Sequence, residues 1–233
     1  MNRFLSECGL GSRRKVEELI KTGRIEVNNN IVTDLTVKIN PQIDKVKYDG
    51  ELLRPQKKVY YLLNKPKGFV TTLNDEKKRK TVIELINTNK RIFPVGRLDY
   101  NTTGVLLLTN DGQLTNFLLH PRNKIEREYV VVINKPLHEK DSARLLKGIF
   151  LDGRKSFFLA LEYIKKGNKI LKVTTNEGRY HFVKRMFQAL GYNVVELRRI
   201  RFGPFNLSGL KIGEYREISE TELKKLVNYE KFI

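Results

Sequence analysis

Strand-like segments follow one another in runs through the second part of the chain, and this grouping limits the possible folds. The stretches "VYYLLN", "VLLLTN" and "EYVVVI" are rich in β-branched and apolar residues. A doubly wound parallel sheet needs a helix between almost all of its strands, because parallel neighbours require crossover connections. Strands in runs therefore predict an α+β fold with a mixed, mostly antiparallel sheet.

Further segments complete this prediction. Additional strands are predicted in "FVTTL", "VGRLD", "FFLALEYI", "KILKVTTN" and "NVVELRRIRFGPF". Helices are predicted in "TVIELI", "QLTNFLLH", "LHEKDSARLLKG", "RYHFVKRMFQALG" and "SETELKKLVNYEKF". The helix in "RYHFVKRMFQALG" is predicted to begin near Tyr180.

The first segment of the chain is shorter and has a different pattern. "SRRKVEELIKTG" predicts a helix that Ser12 caps, with an apolar stripe of Val16, Leu19 and Ile20. A short turn of helix precedes it, and "RIEVNNNIV" and "KVKYDGELL" predict short strands after it. We therefore expect a small α/β module over residues 1–53, a basic, proline-containing linker over 54–58 and a larger domain over 59–233.

The charge of the chain favours a polyanionic partner. There are 45 Lys and Arg against 26 Asp and Glu, a formal net charge of +19, and cations that neutralise phosphates release counterions. A lysine-rich surface that serves solubility is the alternative. The single cysteine indicates a reducing compartment. The chain lacks a signal-peptide pattern and an apolar stretch of membrane-spanning length, so we expect a cytoplasmic protein.

Residue spacing disfavours two kinds of cofactor site. The histidines, His120, His138 and His181, are far apart and form neither HxxxH nor HExxH, so no metal site is predicted. "GLGSRRK" contains glycines, but no strand precedes it and no GK[ST] follows, so no nucleotide cofactor is predicted. The same stretch opens a helix with a basic face, which suits a phosphate backbone as well as it suits solvent.

The segment "VGRLDYNTTGVLLLTNDG" places Arg97 and Asp99 in a polar loop between apolar stretches. An ordinary ion pair in a hairpin loop is the simpler interpretation. Gly96 and Gly104 bracket the loop and give it backbone freedom, and residues 100–103 add hydrogen-bonding groups. Because the flanks would hold Asp99 at the edge of a core, the pattern is typical of a catalytic carboxylate without naming a reaction.

Cations cluster in two later segments. Arg179, Lys184 and Arg185 lie near the start of the helix predicted in "RYHFVKRMFQALG", where the helix dipole disfavours positive charge. Their placement indicates an anionic partner, either a carboxylate or a phosphate. Arg199 follows in the strand "ELRRIRF".

Five motifs then give the chain a family resemblance: "KPKG", "VGRLDYNTTGVLLLTNDG", "IEREY", "EGRYHFVKRMF" and "LRRIRFGPF". Their order and spacing resemble those of the ribosomal-RNA pseudouridine synthases. The first 50 or so residues, with "GSRRKVEELIKTGRIEVNN", resemble the small RNA-binding module named after a small-subunit ribosomal protein. The resemblance extends over nearly the whole chain and implies an enzyme that isomerises uridine in ribosomal RNA to pseudouridine.

The resemblance also implies roles for particular residues. Asp99 matches the catalytic aspartate, and Arg97 matches the arginine that helps to eject the target uridine. Tyr129 is expected to stack against the uracil, and Leu197 to pack beneath the active site. The basic partner of Asp99 is expected to be Lys184, with Arg185 as the alternative.

The expected RNA contacts form a larger set of cations and one hydroxyl: Arg3, Ser12, Arg13, Arg14, Lys15, Lys21, Arg24, Lys65, Arg179, Arg185 and Arg199. The partner implied is ribosomal RNA or a ribosomal assembly intermediate, and the resemblance suggests a monomer. The reaction moves no electrons and no phosphoryl group, so no cofactor is expected. The carboxylate can act as nucleophile at C1′ or as base at C2′, and the sequence leaves both open.

Three points stay open at this stage. "YH" with "VKRMF" is closer to enzymes of small-subunit RNA, whereas "HPRNKIEREY" is closer to those of large-subunit RNA. Family members often have glutamine where this chain has Phe182, a position that could touch RNA. The rival functions are a non-catalytic RNA-binding or ribosome-assembly protein and, less well supported, a DNA-binding regulator with a helix-turn-helix.

Overall fold

The chain folds into two compact units. A computed structural model describes residues 1–164 and 167–226. One unit comprises Met1–Val59 with Thr88–Arg91, and the other comprises Tyr60–Asn87 with the described residues from Ile92 onward. Within these ranges no helix has both the length and the apolar character that a bilayer crossing requires. The boundaries of the predicted linker, 54–58, stay a prediction.

The first unit packs two helices against a small antiparallel sheet. Its elements are α1 Asn2–Glu7, α2 Arg13–Lys21, β1 Ile25–Val27, β2 Asn30–Val32, β3 Val46–Tyr48 and β4 Glu51–Leu52. The strand order is β2-β1-β3-β4. Ser12 caps α2 as predicted, since its Oγ accepts a hydrogen bond from the backbone N–H of Lys15 at 3.2 Å. Leu5, Val16 and Ile25 are fully buried between the helices and the sheet.

The second unit is dominated by strands. Its strands are β5 Tyr60–Lys65, β6 Phe93–Pro94, β7 Thr103–Thr109, β8 Arg127–Ile133, β9 Ile149–Leu151, β10 Arg154–Ser156, β11 Ala160–Tyr163, β12 Ile170–Thr175, β13 Val194–Phe202, β14 Phe205–Asn206 and β15 Tyr215–Glu217. Its helices are α3 Gly112–Leu119, α4 Glu139–Lys147, α5 Phe182–Gln188 and α6 Glu220–Leu223. Short 3-10 turns cover Val82–Leu85 and Pro121–Asn123.

The central sheet has the order β11-β12-β8-β13-β7-β5-β15. Within the described strands, each pairing along this order is antiparallel except that of β7 with β13, which is parallel. The prediction of a mixed, mostly antiparallel sheet is therefore confirmed. Every residue of β7 is buried, because the strand is internal to the sheet and both of its faces are covered. Its Val105 and Leu107 pack in one core cluster with Leu62 and Phe202.

Gly104 makes the parallel pairing possible. It lies between Lys65 on β5 and Arg199 on β13, with a φ of +106°. A Cβ at this position would overlap the backbone carbonyl oxygen of Arg199. Only glycine allows the two strands to approach this closely, and the approach fixes the start of β7, directly after the Asp99 loop.

Two strand predictions are wrong. "VGRLD" is irregular, because Gly96 takes a φ of +73° and turns the chain after Pro94. "FVTTL" contributes only an isolated bridge between Val70 and Thr81. The Thr71 hydroxyl instead donates to the Leu98 carbonyl at 2.6 Å, so a side chain joins these segments in place of a strand ladder.

Other elements differ in extent. "TVIELI" forms only a 3-10 turn, which a capping box of Thr81 and Glu84 begins. Helix α5 starts at Phe182 rather than near Tyr180, because His181 has a left-handed φ of +50°. Strands β9, β10 and β15 were not predicted. The last helix prediction, "SETELKKLVNYEKF", lies partly outside the described residues, which include α6 but end at 226.

Candidate active site

The carboxylate of Asp99 has cationic and polar neighbours on both oxygens. Lys184 Nζ donates to Asp99 Oδ2 at 2.6 Å, and the Thr102 hydroxyl lies 3.4 Å from the same oxygen. On the other side, His181 Nε2 lies 3.1 Å from Asp99 Oδ1. Asp99 is only partly buried, so a substrate can reach a carboxylate that its neighbours hold in one orientation.

Lys184 reaches Asp99 from the first turn of α5. A lysine is unfavourable at a helix N-terminus, and the ion pair with Asp99 compensates for this cost. The alternative partner, Arg185, forms an ion pair with Asp152 instead. The structure therefore brings Lys184, and not Arg185, to Asp99.

His181 is a site residue that the sequence reasoning missed. We considered the histidines only as metal ligands, and their spacing argued against that role. His181 stacks on the ring of Tyr180, with centroids 3.8 Å apart and planes 17° apart. It lies three positions before Lys184, so the two side chains share one side of the first turn. That spacing was the available signal.

The inner wall of the Asp99 pocket comes from β8 and β13. Tyr129 and Leu197 line the pocket and are largely buried. In the antiparallel register Tyr129 is opposite Arg199, and Leu197 is opposite Val131. Arg97 also lines the pocket, and its side chain is exposed. The structure thus brings Arg97, Asp99, Tyr129 and Leu197 to one pocket, and Lys184 contacts Asp99.

Lys65 corrects one of the predicted RNA contacts. Its side chain is fully buried in β5, and its Nζ donates to the backbone carbonyls of Pro66, Asp99 and Thr102 at 3.0, 3.2 and 3.1 Å. No phosphate can reach this ammonium. Lys65 instead holds together the loop that carries Asp99. Burial lowers the pKa of Lys65 to about 8, and the negative charge of Asp99 opposes part of that shift.

This pKa predicts a pH dependence of stability. Free lysine titrates near 10.5, so between about 8 and 10.5 the unfolded chain binds more protons than the folded chain, and stability rises with pH. The stabilisation that comes from neutral Lys65 is complete above the pKa of the lysine in the unfolded chain, and it is lost as the pH falls through about 8. Lys65→Met should remove this rise, which amounts to about 3 kcal/mol in the free energy of unfolding. Melting temperatures of both proteins across this range test it, and parallel curves would contradict it.

Two protein-family models match this chain. The family model described as RNA pseudouridylate synthase matches residues 59–189, and the S4 domain model matches residues 2–42. The chain belongs to the RNA pseudouridylate synthase family. The family resemblance, the enzyme class, the S4-type N-terminal module and the fold class predicted from the sequence are all confirmed.

Relatives match the synthase over nearly its full length. An uncharacterized RNA pseudouridine synthase of Aquifex aeolicus is 45% identical over 230 residues, covering 97% of this chain and 92% of the relative. Ribosomal large subunit pseudouridine synthase B of Bacillus subtilis is 40% identical, covering 97% and 94%. A crystal structure of a pseudouridylate synthase superposes with a TM-score of 0.70 at 33% identity, covering 97% and 98%.

Arg199 lies on the wall of the Asp99 pocket, and not on the outer surface where a contact with an RNA phosphate was expected. Only 3% of its surface is exposed, because β13 is covered on this face. Its Nε donates to the Val105 carbonyl at 2.7 Å. A guanidinium at this depth cannot serve as a surface contact for phosphate. Phe182 is likewise largely buried, edge-on against Phe158 with ring centroids 6.1 Å apart, and it lines the Asp99 pocket.

Several other predicted RNA contacts are engaged within the protein. Arg179 donates to Glu177 at 2.7 Å and to the Leu151 carbonyl at 3.2 Å, which ties the β9–β10 hairpin to the pocket. The remaining paired cations are Arg3 with Glu7, Lys15 with Glu18, Arg24 with Asp49 and Arg185 with Asp152. In residues 1–164 and 167–226, Arg13, Arg14 and Lys21 are exposed and have no ion-pair partner.

The site offers no evident place for a metal. Across the described ranges, no three His, Cys, Asp or Glu side chains gather in an arrangement that could hold an ion. The groups that surround the Asp99 carboxylate are a lysine, a histidine and a hydroxyl. This arrangement suits proton transfer or nucleophilic attack by the carboxylate itself.

Proposed function

We propose that this synthase isomerises a uridine of large-subunit ribosomal RNA, with Asp99 as the group that acts on the ribose. The observation that carries the proposal is the Asp99 carboxylate, held by Lys184 at 2.6 Å over a pocket whose wall includes Tyr129 and Leu197. A carboxylate, a cation and a platform for a planar base are what the isomerisation requires.

The choice of large-subunit RNA is supported by a relative. The Bacillus subtilis protein, which is 40% identical, is named for the large ribosomal subunit, and "HPRNKIEREY" favours the same substrate. The S4-type module and the net charge of +19 support a polyanionic RNA partner. We also propose that the active form is a monomer, which is what the family resemblance implies.

The chemistry assigns each side chain a step. The target uridine leaves its stack, and the exposed Arg97 takes the vacated place while the uracil stacks on Tyr129 above Leu197. Asp99 then attacks C1′ or removes a proton from C2′, and the N1–C1′ bond breaks. The uracil turns and C5 bonds to C1′, while Asp99 leaves C1′ in the first route or returns the proton to C2′ in the second. Lys184 places a positive charge beside the Asp99 carboxylate and holds it in one orientation throughout.

Affinity for the RNA is assigned to the cations without internal partners. Arg13, Arg14 and Lys21 on α2 are exposed and unpaired in the part of the chain that the structure describes. Each phosphate contact of this kind adds to the salt dependence of binding. The paired cations Arg3, Lys15 and Arg24 contribute less, because a carboxylate already neutralises each of them.

The test is pseudouridine mapping of ribosomal RNA from cells with and without the gene. We expect one or a few large-subunit positions to lose pseudouridine and to regain it with the wild-type gene. Loss only in small-subunit RNA would correct the substrate. No change at any ribosomal position, with no activity of the purified protein on this RNA, would contradict the proposal and favour an assembly role.

Tyr129 provides a prediction about stacking. Tyr129→Phe should retain most of the activity, whereas Tyr129→Leu should lower the rate roughly 30- to 100-fold, because stacking on a ring contributes about 1–3 kcal/mol. Single-turnover conversion of unmodified ribosomal RNA measures both variants. Equal losses in the two variants would indicate that the hydroxyl, and not the ring, is the essential group.

A further inference from the structure

Two buried arginines lie side by side on the wall of the Asp99 pocket. Arg127 on β8 is 5% exposed and Arg199 on β13 is 3% exposed. Each guanidinium carbon lies over the ring of Phe202, at 5.0 and 4.9 Å from its centroid. Since alternate residues of a strand share a face, Arg127 shares that of Tyr129, and Arg199 shares that of Leu197. The wall is therefore part apolar and part cationic.

Neither arginine has an acidic partner in residues 1–164 and 167–226. Arg127 Nη1 donates to the carbonyls of Ile125 and Asn176 at 3.0 and 3.1 Å, and Arg199 Nε donates to that of Val105. Arg199 Nη2 is shut off from solvent, and among the described residues no acceptor lies within hydrogen-bond distance.

Burying cations without compensation is costly. Glu177 also lines the pocket, but its carboxylate accepts a hydrogen bond from Arg179. Burial, and to a smaller extent the charge of Arg199, lowers the pKa of Arg127. Two buried guanidiniums with an unused donor destabilise the empty pocket, unless a negative ligand enters it. The arrangement thus indicates an anion that is present during the reaction.

The isomerisation itself generates such an anion. When the N1–C1′ bond breaks, its electron pair stays on the uracil and is delocalised from N1 onto O2 and O4. This is so whether the aspartate attacks C1′ or removes a proton from C2′. C5 then bonds to C1′ through the ring π electrons, displacing the aspartate from C1′ in the first route, or with return of the aspartate's proton to C2′ in the second. The proton on C5 leaves, and N1 takes up a proton. The negative charge on the ring is therefore transient.

We propose that Arg199, with Arg127 beside it, stabilises the departing uracil anion through the positive charge of its guanidinium on the wall of the Asp99 pocket. The inference rests on the proposed function. Residues two apart on a strand are about 6.7 Å apart, so a ring stacked on Tyr129 and Leu197 is a neighbour of both guanidiniums. A positive charge placed where negative charge develops lowers the barrier in a desolvated site.

The first experiment compares Arg199→Met with Arg201→Met. Arg201 lies on the same strand, but its charge is already neutralised by Glu126 and Glu128 at 2.8 and 2.9 Å. We expect Arg199→Met to slow single-turnover isomerisation of unmodified ribosomal RNA about 100-fold with unchanged RNA affinity. Arg201→Met should stay within about threefold of wild type. Arg199→Lys retains a cation and should fall between them, and it serves if methionine at position 199 prevents folding.

A second readout separates a chemical role from a structural one. In RNA transcribed with 5-fluorouridine, the fluorine stabilises the uracil anion, so cleavage of N1–C1′ depends less on the arginine. The defect of Arg199→Met, or of Arg199→Lys, relative to wild type should therefore shrink several-fold on this RNA. Cleavage is read as the conversion of 5-fluorouridine to a C-linked nucleoside. An unchanged defect would indicate a structural role and overturn the inference.

Binding measurements exclude the other source of negative charge, a backbone phosphate. If Arg199 held a phosphate, its loss would weaken RNA binding and reduce the salt slope by about one, which would also overturn the inference. A fully active Arg199→Met would also overturn the inference, but the proposed function would stand. If wild type converted no uridine at all, the proposed function would fail, and this inference with it.

Discussion

Asp99→Asn is expected to abolish isomerisation, lowering the single-turnover rate roughly 10⁴-fold or more, while RNA affinity stays within about twofold. Asparagine has the same shape and can still accept the hydrogen bond that Lys184 donates to Asp99. It can act neither as a base nor as an effective nucleophile, because its amide oxygen carries no charge. Affinity rests on cations elsewhere in the chain, so binding should survive.

The control for Asp99→Asn is Asp75→Asn. Asp75 is a loop carboxylate that forms an ion pair with Arg79 at 2.6 Å, and it does not line the Asp99 pocket. This variant should keep the wild-type rate. Rates come from rapid mixing of excess enzyme with unmodified ribosomal RNA, and affinities come from filter binding. Substantial turnover by Asp99→Asn would show that another group carries out the chemistry.

Lys184→Met is expected to have the second-largest effect, a loss of about 10³-fold in rate. Without the ammonium at 2.6 Å, Asp99 Oδ2 keeps only the hydroxyl of Thr102 at 3.4 Å. The carboxylate then loses both its neighbouring positive charge and the contact that orients it. Lys184→Arg should recover part of the rate, because it restores the charge with a different geometry.

Lys172→Met is the matched control for Lys184→Met. Lys172 also forms an ion pair, with Glu162 at 2.9 Å, on a different part of the sheet. Losing this pair should leave the rate unchanged. A normal rate for Lys184→Met at all pH values would remove Lys184 from the proposed mechanism.

Much of what could be predicted about the site from the sequence came from the order of the motifs. The pairing of Lys184 with Asp99, rather than of Arg185, followed from the alignment of one motif, and the structure places the two side chains together. The runs of strands were enough to predict the fold class, because antiparallel sheets leave this pattern in the chain. Capping by Ser12 was equally local, since a cap depends on residues within one turn.

The sequence could not show how deeply individual cations are buried. Lys65 and Arg199 look like surface cations in the printed chain, yet they lie on internal strands whose neighbours are remote in sequence. Burial of this kind depends on the strand order, which local patterns do not contain. His181 escaped notice because its position depends on a left-handed backbone conformation, which is uncommon for a residue other than glycine.

The parallel pairing of β7 with β13 affects the order in which parts of the protein can fold during synthesis on the ribosome. The strands of the N-terminal unit pair with near neighbours in the chain, so this unit can fold early in translation. Gly104 meets Arg199 only after β13 has emerged, much later in synthesis. A nascent chain can therefore form its S4-type module before the pocket around Asp99 closes, and a truncation before β13 would remove Leu197 and Arg199 from the wall of that pocket.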